Sequence, residues 1–224
     1  MIKIGLITEG ITDQFILKPI INNFWKKIEF DFREIQPRID ETDKQEGYGS
    51  WVNVLKTCRE EDFNTLFKFN DFVVIQIDSD VSQEKGFDVA HFQNGKQLSE
   101  EELCLTIIDK LKSLIPSNLF EKHQEKFLFA IGLHSSECWL LTIVEKGSKK
   151  TKTQNCLNHL NKELSRSNFG TINPKNKNNA QSRKTYQTLA KKFKNKIIIQ
   201  DASGNNSGLK NFVLQLSDLS IIEQ

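Results

Sequence analysis

The sequence predicts an α/β fold: an open, mostly parallel sheet flanked by helices, with a basic helical elaboration at the C-terminal end. Three observations predict it. IKIGLIT (Ile2 to Thr8), the apolar stretch Val73, Val74, Ile75 and Ile77 of FVVIQIDSD (Phe72 to Asp80), and KFLFAIG (Lys126 to Gly132) are short and of strand length, and read as strands buried on both faces. Helical apolar spacing fills the stretches between strands, and helix–strand alternation predicts parallel strands joined by right-handed crossovers. Acids stand just past the ends of all three runs: Glu9, then Asp78 and Asp80, then Glu137. In an open α/β sheet the carboxyl ends of the strands open into the crevice where ligands bind.

Taken in order, the first strand runs into Glu9-Gly10, a turn that the glycine lets bend tightly. Thr12 to Lys27 has amphipathic spacing through Phe15, Ile16, Ile20 and Phe24, with Thr12 or Asp13 near the start and a kink or late start expected at Pro19. Glu29 to Gln36 alternates as a half-buried strand, with a bulge expected where Phe30, Phe32 and Ile35 break the period. Pro37 to Ser50 reads as a loop and Trp51 to Glu61 as a helix leading through Phe63 to Phe69 to the central strand. Val81 to Gln97 reads as a polar loop. Ser99 with Glu102 forms a capping box for a helix over Glu100 to Ile115, stopped by Pro116. After the strand ending at Gly132, Ser135 or Ser136 would cap a helix carrying Cys138 to Val144. Further on, Thr153 to Leu164 reads as a helix and Ser165 to Ser182 as a loop. Ser182 to Phe193 reads as a helix, Ile197 to Gln200 as a last short strand, Ala202 to Gly208 as a turn and Leu209 to Leu219 as a closing helix.

At 224 residues with 38% hydrophobic content and 16 Phe, the chain is long enough to bury a substantial core. Its four cysteines, Cys58, Cys104, Cys138 and Cys156, have no CxxC spacing, which argues against zinc and for a reducing compartment and leaves a disulfide open. MIKIGLITEG runs straight into a strand without signal-peptide organisation, and no apolar stretch reaches membrane-spanning length. A cytoplasmic protein without membrane contact is expected. No GxxxxGK[ST] sequence supplies a P-loop ATPase.

The formal charge of +2 hides an asymmetry. Lys146 to Lys196 holds 12 Lys and 2 Arg against one acid, Glu163, a balance of +13; the other 17 bases face 28 acids, a balance of −11. Such a block is the footprint of phosphate-backbone binding by residues such as Lys149, Lys150, Lys152, Lys175, Lys177, Arg183, Lys191 and Lys192. The alternative reading is a solvated lysine-rich surface that helps solubility.

LITEG (Leu6 to Gly10), a helix, and then IDSD (Ile77 to Asp80) together resemble the TOPRIM domain of topoisomerases, primases and the overcoming-lysogenization-defect nucleases. The stretch Glu137-Cys138-Trp139-Leu140-Leu141 is similar to a segment of small stand-alone bacterial TOPRIM-like proteins, including antiphage effectors. The resemblance covers roughly Ile2 to Leu141. It implies a TOPRIM-like catalytic core over 1–145 and a basic helical extension over 146–224 that packs on the core. It further implies a nuclease using one or two Mg²⁺ or Mn²⁺ ions, held by Asp78, Asp80, Glu9 and Glu137, with Glu9 as ligand or general base. A late lysine, read as Lys184 from its Lys-x-Tyr setting, would stabilise charge on phosphate. The substrate would be DNA or RNA, tRNA among them. Homodimerisation and a partner ATPase fit the same resemblance, the latter also with a non-catalytic TOPRIM-like binding or regulatory subunit. From the residues alone, Glu137 equally suits the first turn of a helix, where its charge favours the dipole, and the lone His134 reads first as structural.

Overall fold

A computed structural model describes residues 1–39, 45–46, 49–167 and 169–219. Four parallel strands form the sheet: β1 (Ile2–Ile7), β2 (Phe30–Gln36), β3 (Phe72–Asp78) and β4 (Phe127–Gly132), in the order β2-β1-β3-β4. The chain thus starts in the middle of the sheet, and the strand order reverses between β1 and β3. That is the switch point at which crossovers leave to opposite faces and a crevice opens at the carboxyl edge. The expected bulge lies in β2: Leu6 faces Glu34 while Ile7 faces Gln36, leaving Ile35 without a partner.

Strand periodicity sorts the core into two layers. Ile4 and Leu6, Val74, and Leu128 and Ala130 pack on α1 (Ile11–Phe24), α6 (Glu137–Val144), α7 (Cys156–Leu164), α8 (Ala180–Ala190), α9 (Lys196–Ser203) and α10 (Ser207–Asp218). Val73, Ile75 and Ile77, with Phe127, Phe129 and Ile131, pack on α2 (Trp51–Glu60), α3 (Phe63–Phe69) and α4 (Glu100–Leu114); α5 (Ser117–His123) borders this layer through Leu119 and Phe120. The basic C-terminal helices therefore complete one whole layer of the sandwich.

Helix starts follow local chemistry. Ser99 and Glu102 form the expected capping box of α4. The helix α1 begins at Ile11, where the Asp13 carboxylate accepts from the Gly10 N–H at 2.9 Å, and runs through Pro19. At α6 the expectation fails: Ser136 precedes the helix but its hydroxyl caps nothing, because it donates to Asp13 Oδ1 at 2.5 Å.

One further expectation is corrected. Ile197 to Gln200 is helical, within α9: the Asn195 side chain accepts from Ile198 N–H at 3.0 Å and starts the helix, while only Ile199 of the isoleucine run is buried. A short β-branched run has no periodicity to separate the two states, and the cap decided. Two of the four cysteines are paired. Cys138 and Cys156, 18 residues apart, form a disulfide that ties α6 to α7, while Cys58 and Cys104 are free and buried. Closing a loop of that length stabilises by about 3 kcal/mol in the chain-entropy account.

The Pro37 to Ser50 loop includes residues 40–44 and 47–48, which lie outside the described ones; its ends form a two-residue ladder, Arg38–Ile39 with Gln45–Glu46. Among the described residues no helix is long and apolar enough to cross a membrane.

Candidate active site

Glu9 and Asp78 meet at the carboxyl edge. A Glu9 carboxylate oxygen, Oε1, accepts from the Asp78 backbone N–H at 2.7 Å, bridging from the end of β1 to the end of β3. Gln76 locks the pair from below: its Oε1 accepts from Glu9 N–H at 3.0 Å and its Nε2 donates to Asp78 Oδ1 at 2.9 Å. Two residues apart on one strand, Gln76 and Asp78 share the face of Val74, towards α1 and α6. A polar residue inside an otherwise apolar strand is the signal that sequence reading passed over.

Gly132 makes room for Asp78. It sits directly opposite in the β3–β4 register, and a Cβ there would lie 2.1 Å from Asp78 Oδ1 and 2.9 Å from Ser136 N.

Two more acids come from the covering helices. Asp13 of α1 is buried and held by Gly10 N–H and Ser136 Oγ. Glu137 opens α6 at 1% exposure. Its Oε1 pairs with the Lys177 ammonium at 2.7 Å and accepts from the Tyr186 hydroxyl of α8, and the Ser135 side chain also favours the charged carboxylate. Asp80 is exposed at the rim. His134 stands between β4 and α6 with a left-handed φ of 61°, its N–H donating to Ser79 Oγ at 2.7 Å.

Charge is unevenly matched across this rim. Burial pushes Glu9 up to about 8, helped by Asp13 and Asp80 and opposed by the Asp78 N–H. Burial likewise raises Asp13 to about 6, against the Ser136 hydroxyl. Asp78 is driven well above the carboxylate range by burial and then by Asp13, Glu9 and Glu137, and Asp80 is raised chiefly by burial. Glu137 goes the other way. Burial disfavours its charge, but Lys177, with the hydrogen bonds from Lys177 and Tyr186, outweighs that and holds it below its ordinary value. Lys177 is held above its own range: burial opposes its charge, and Glu137, followed by Asp78 and Asp13, overcomes that.

The lysine at the acids is therefore Lys177, in the coil before α8, rather than Lys184. Lys184 is exposed on α8. Tyr186, two residues on, points the opposite way and is fully buried on Glu137. Lys149, Lys152, Lys175 and Lys191 are exposed, Lys150 and Lys192 half-buried, and Arg183 half-buried on α8. Among the described residues no three His, Cys, Asp or Glu side chains are set to hold one metal ion. The expected sharing of a cation by Glu9, Asp78, Asp80 and Glu137 is thus not preassembled; Glu137 instead has a lysine as its counter-charge.

No family model matches the chain, and neither a curated protein nor a solved structure matches it.

Proposed function

We propose that the protein is a metal-dependent nuclease of TOPRIM-like type, hydrolysing phosphodiesters of DNA or RNA at the acidic rim. The observation that carries this reading is the Asp78 N–H to Glu9 carboxylate bond, which brings acids from two strand ends, 69 residues apart, to one point of the carboxyl edge. Burial raises Glu9, Asp13 and Asp78, neighbouring acids add to each, and Lys177, the cation that acts on all three, does not offset them, so the β1–β3 side of the rim is short of positive charge. Hard oxygen donors short of counter-charge suit Mg²⁺ or Mn²⁺. Glu9, Asp78 and Asp80 would hold such an ion, the half-buried Glu9 and exposed Asp80 turning towards it. When bound, the ion supplies a polarised phosphate and a more acidic water.

The chain's own residues do the rest. Gln76 fixes the Asp78 carboxylate, Glu9 Oε2 is left to take a proton from the attacking water, and Lys177 balances charge developing on the phosphate. The basic segment around it holds the strand. Nuclease assays on DNA, structured RNA and tRNA with Mg²⁺ and Mn²⁺ test this. Cleavage is expected, with loss of at least about 100-fold in Glu9→Gln and Asp78→Asn; cleavage that survives both substitutions overturns the assignment.

The Lys177–Glu137 pair favours a second reading, a non-catalytic TOPRIM-like subunit working with a partner ATPase, because it neutralises one expected ligand. Cation binding by calorimetry without cleavage, alone and with the co-purified partner, would select it.

A further inference from the structure

We propose that a cleft at the far end of α6 from the acidic rim is a binding site for a phosphorylated ligand of nucleotide size. The cleft has a volume of about 370 Å³, within the range of small-ligand sites. It is lined by Thr142 and Ile143 of α6, by Lys150 from the short 3-10 turn Ser148–Thr151, and by Lys192 and Lys194 from the turn after α8. Thr142 lies five residues beyond Glu137, so the cleft is displaced about 7.5 Å along the helix axis from the acids. It goes beyond the proposed catalytic reading and does not depend on it.

Three observations point to an anion. Among the described residues none of the three lysines makes an ion pair, and Asp201 of α9 is the one acid lining the cleft, leaving three positive charges against one negative. The lysines rise from a fixed base: Phe193, between Lys192 and Lys194, is fully buried, and Lys192 N–H, Phe193 N–H and Lys194 N–H donate to Leu189, Ala190 and Lys192 carbonyls at 2.9, 3.0 and 2.8 Å. Lys192 Nζ also stands 4.8 Å from the Phe169 ring centroid, which orients the ammonium without neutralising it. The surplus of two charges matches a phosphate dianion. Ile143 and Ile198 supply an apolar wall for the group that carries it. Both a free nucleotide and the terminal phosphate of a nucleic acid present this chemistry.

Isothermal titration of the full chain at about 0.15 M salt with inorganic pyrophosphate, adenosine monophosphate, and one short oligonucleotide with and without a 5′-phosphate tests the site. Pyrophosphate and adenosine monophosphate are expected to bind, at least about tenfold more weakly in Lys192→Gln/Lys194→Gln and about threefold more tightly in Asp201→Asn, where the opposing charge is gone. Lys68→Gln/Lys85→Gln, exposed lysines of the other layer and the loop after β3, are expected to change neither. Melting temperatures equal to that of the unaltered chain verify folding in each variant. Preference for the 5′-phosphorylated oligonucleotide assigns the terminal phosphate as a source; equal binding of both forms leaves the free nucleotide as the ligand. Failure of pyrophosphate and nucleotide to bind, or equal weakening by the control pair, overturns the site.

Discussion

Glu137 and Lys177 are joined by opposite needs. The carboxylate is almost fully enclosed, at 2% side-chain exposure, and without the ammonium it would be a buried charge left with neutral hydroxyl donors, Tyr186 and Ser135. Removing one partner of a buried pair is far more costly than removing both. Lys177→Met is expected to lower stability by about 2–3 kcal/mol, short of the full buried-pair penalty because the lysine keeps 39% side-chain exposure. The double variant Glu137→Gln/Lys177→Met recovers most of that loss, and Lys184→Met changes stability by less than about 0.5 kcal/mol. Urea denaturation of the four proteins checks this; equal losses for Lys177→Met and Lys184→Met would refute it. Glu9 and Asp13 give a pH dependence of opposite sense to the usual carboxylate. Their folded values of about 8 and about 6 lie above the ordinary 4.5 and 3.8, so the folded chain keeps protons that the unfolded chain releases. The stability they contribute is complete below about pH 4 and is lost as pH rises through 6 and then 8. The melting temperature is expected to fall from pH 5 to pH 8 more steeply in the unaltered chain than in Glu9→Gln. Millimolar Mg²⁺ is expected to restore stability at pH 8 and to do little at pH 5, because it competes with protons for the same oxygens. Thermal melts at the two pH values, with and without the ion, decide it.

At the scale of elements, the sheet was the legible part. Runs buried on both faces announce themselves by composition, and an acid at the end of such a run is placed at the carboxyl edge by topology alone; Glu9 and Asp78 were readable for that reason. Lys177 was not, because selection among 12 lysines of one segment depends on the path of a coil that carries no periodicity. The disulfide was hidden too, since Cys138 and Cys156 meet through the packing of α6 on α7 rather than through spacing. Gly132 is the least visible of all. Its role exists only when β3 and β4 are in register, where the missing Cβ leaves space for the Asp78 carboxylate. Gly132→Ala is expected to displace Asp78, to cost about 2 kcal/mol as an overpacked site does, and to weaken Mg²⁺ binding at least about tenfold. Gly5→Ala, whose Cβ meets nothing nearer than 3.4 Å, serves as the comparison and is expected to stay near neutral. Denaturation and Mg²⁺ titration read both; unaltered Mg²⁺ affinity in Gly132→Ala would show that Asp78 is not confined as argued.

For the whole molecule the question is whether 1–145 is a unit by itself. Charge draws a boundary there: 1–145 carries 16 bases and 25 acids, or −9, and 146–224 carries 15 bases and 4 acids, or +11. The apolar core draws none. Ile4, Leu6, Val74 and Leu128 share one buried cluster with Leu160, Tyr186, Leu189, Phe193, Phe212 and Leu216, so one face of the sheet is finished by the basic half. The tie is also specific, since the Gln215 side chain donates to Phe129 O at 2.8 Å and accepts from Phe129 N–H at 2.8 Å, and Gly208 lets α10 approach the Ile131 carbonyl where a Cβ would stand 2.2 Å away. Opposite charges steer the halves together and are screened by salt, with a Debye length near 3 Å at 1 M; burial of apolar surface is not screened. A fragment ending at Glu145 is therefore expected to lack a cooperative melting transition and near-ultraviolet circular dichroism, and to bind hydrophobic dye through its uncovered face. The full chain is expected to keep its cooperative transition in 1 M salt. Were the fragment to melt cooperatively, or the full chain to lose its transition in salt, the halves would be held by charge rather than by a common core.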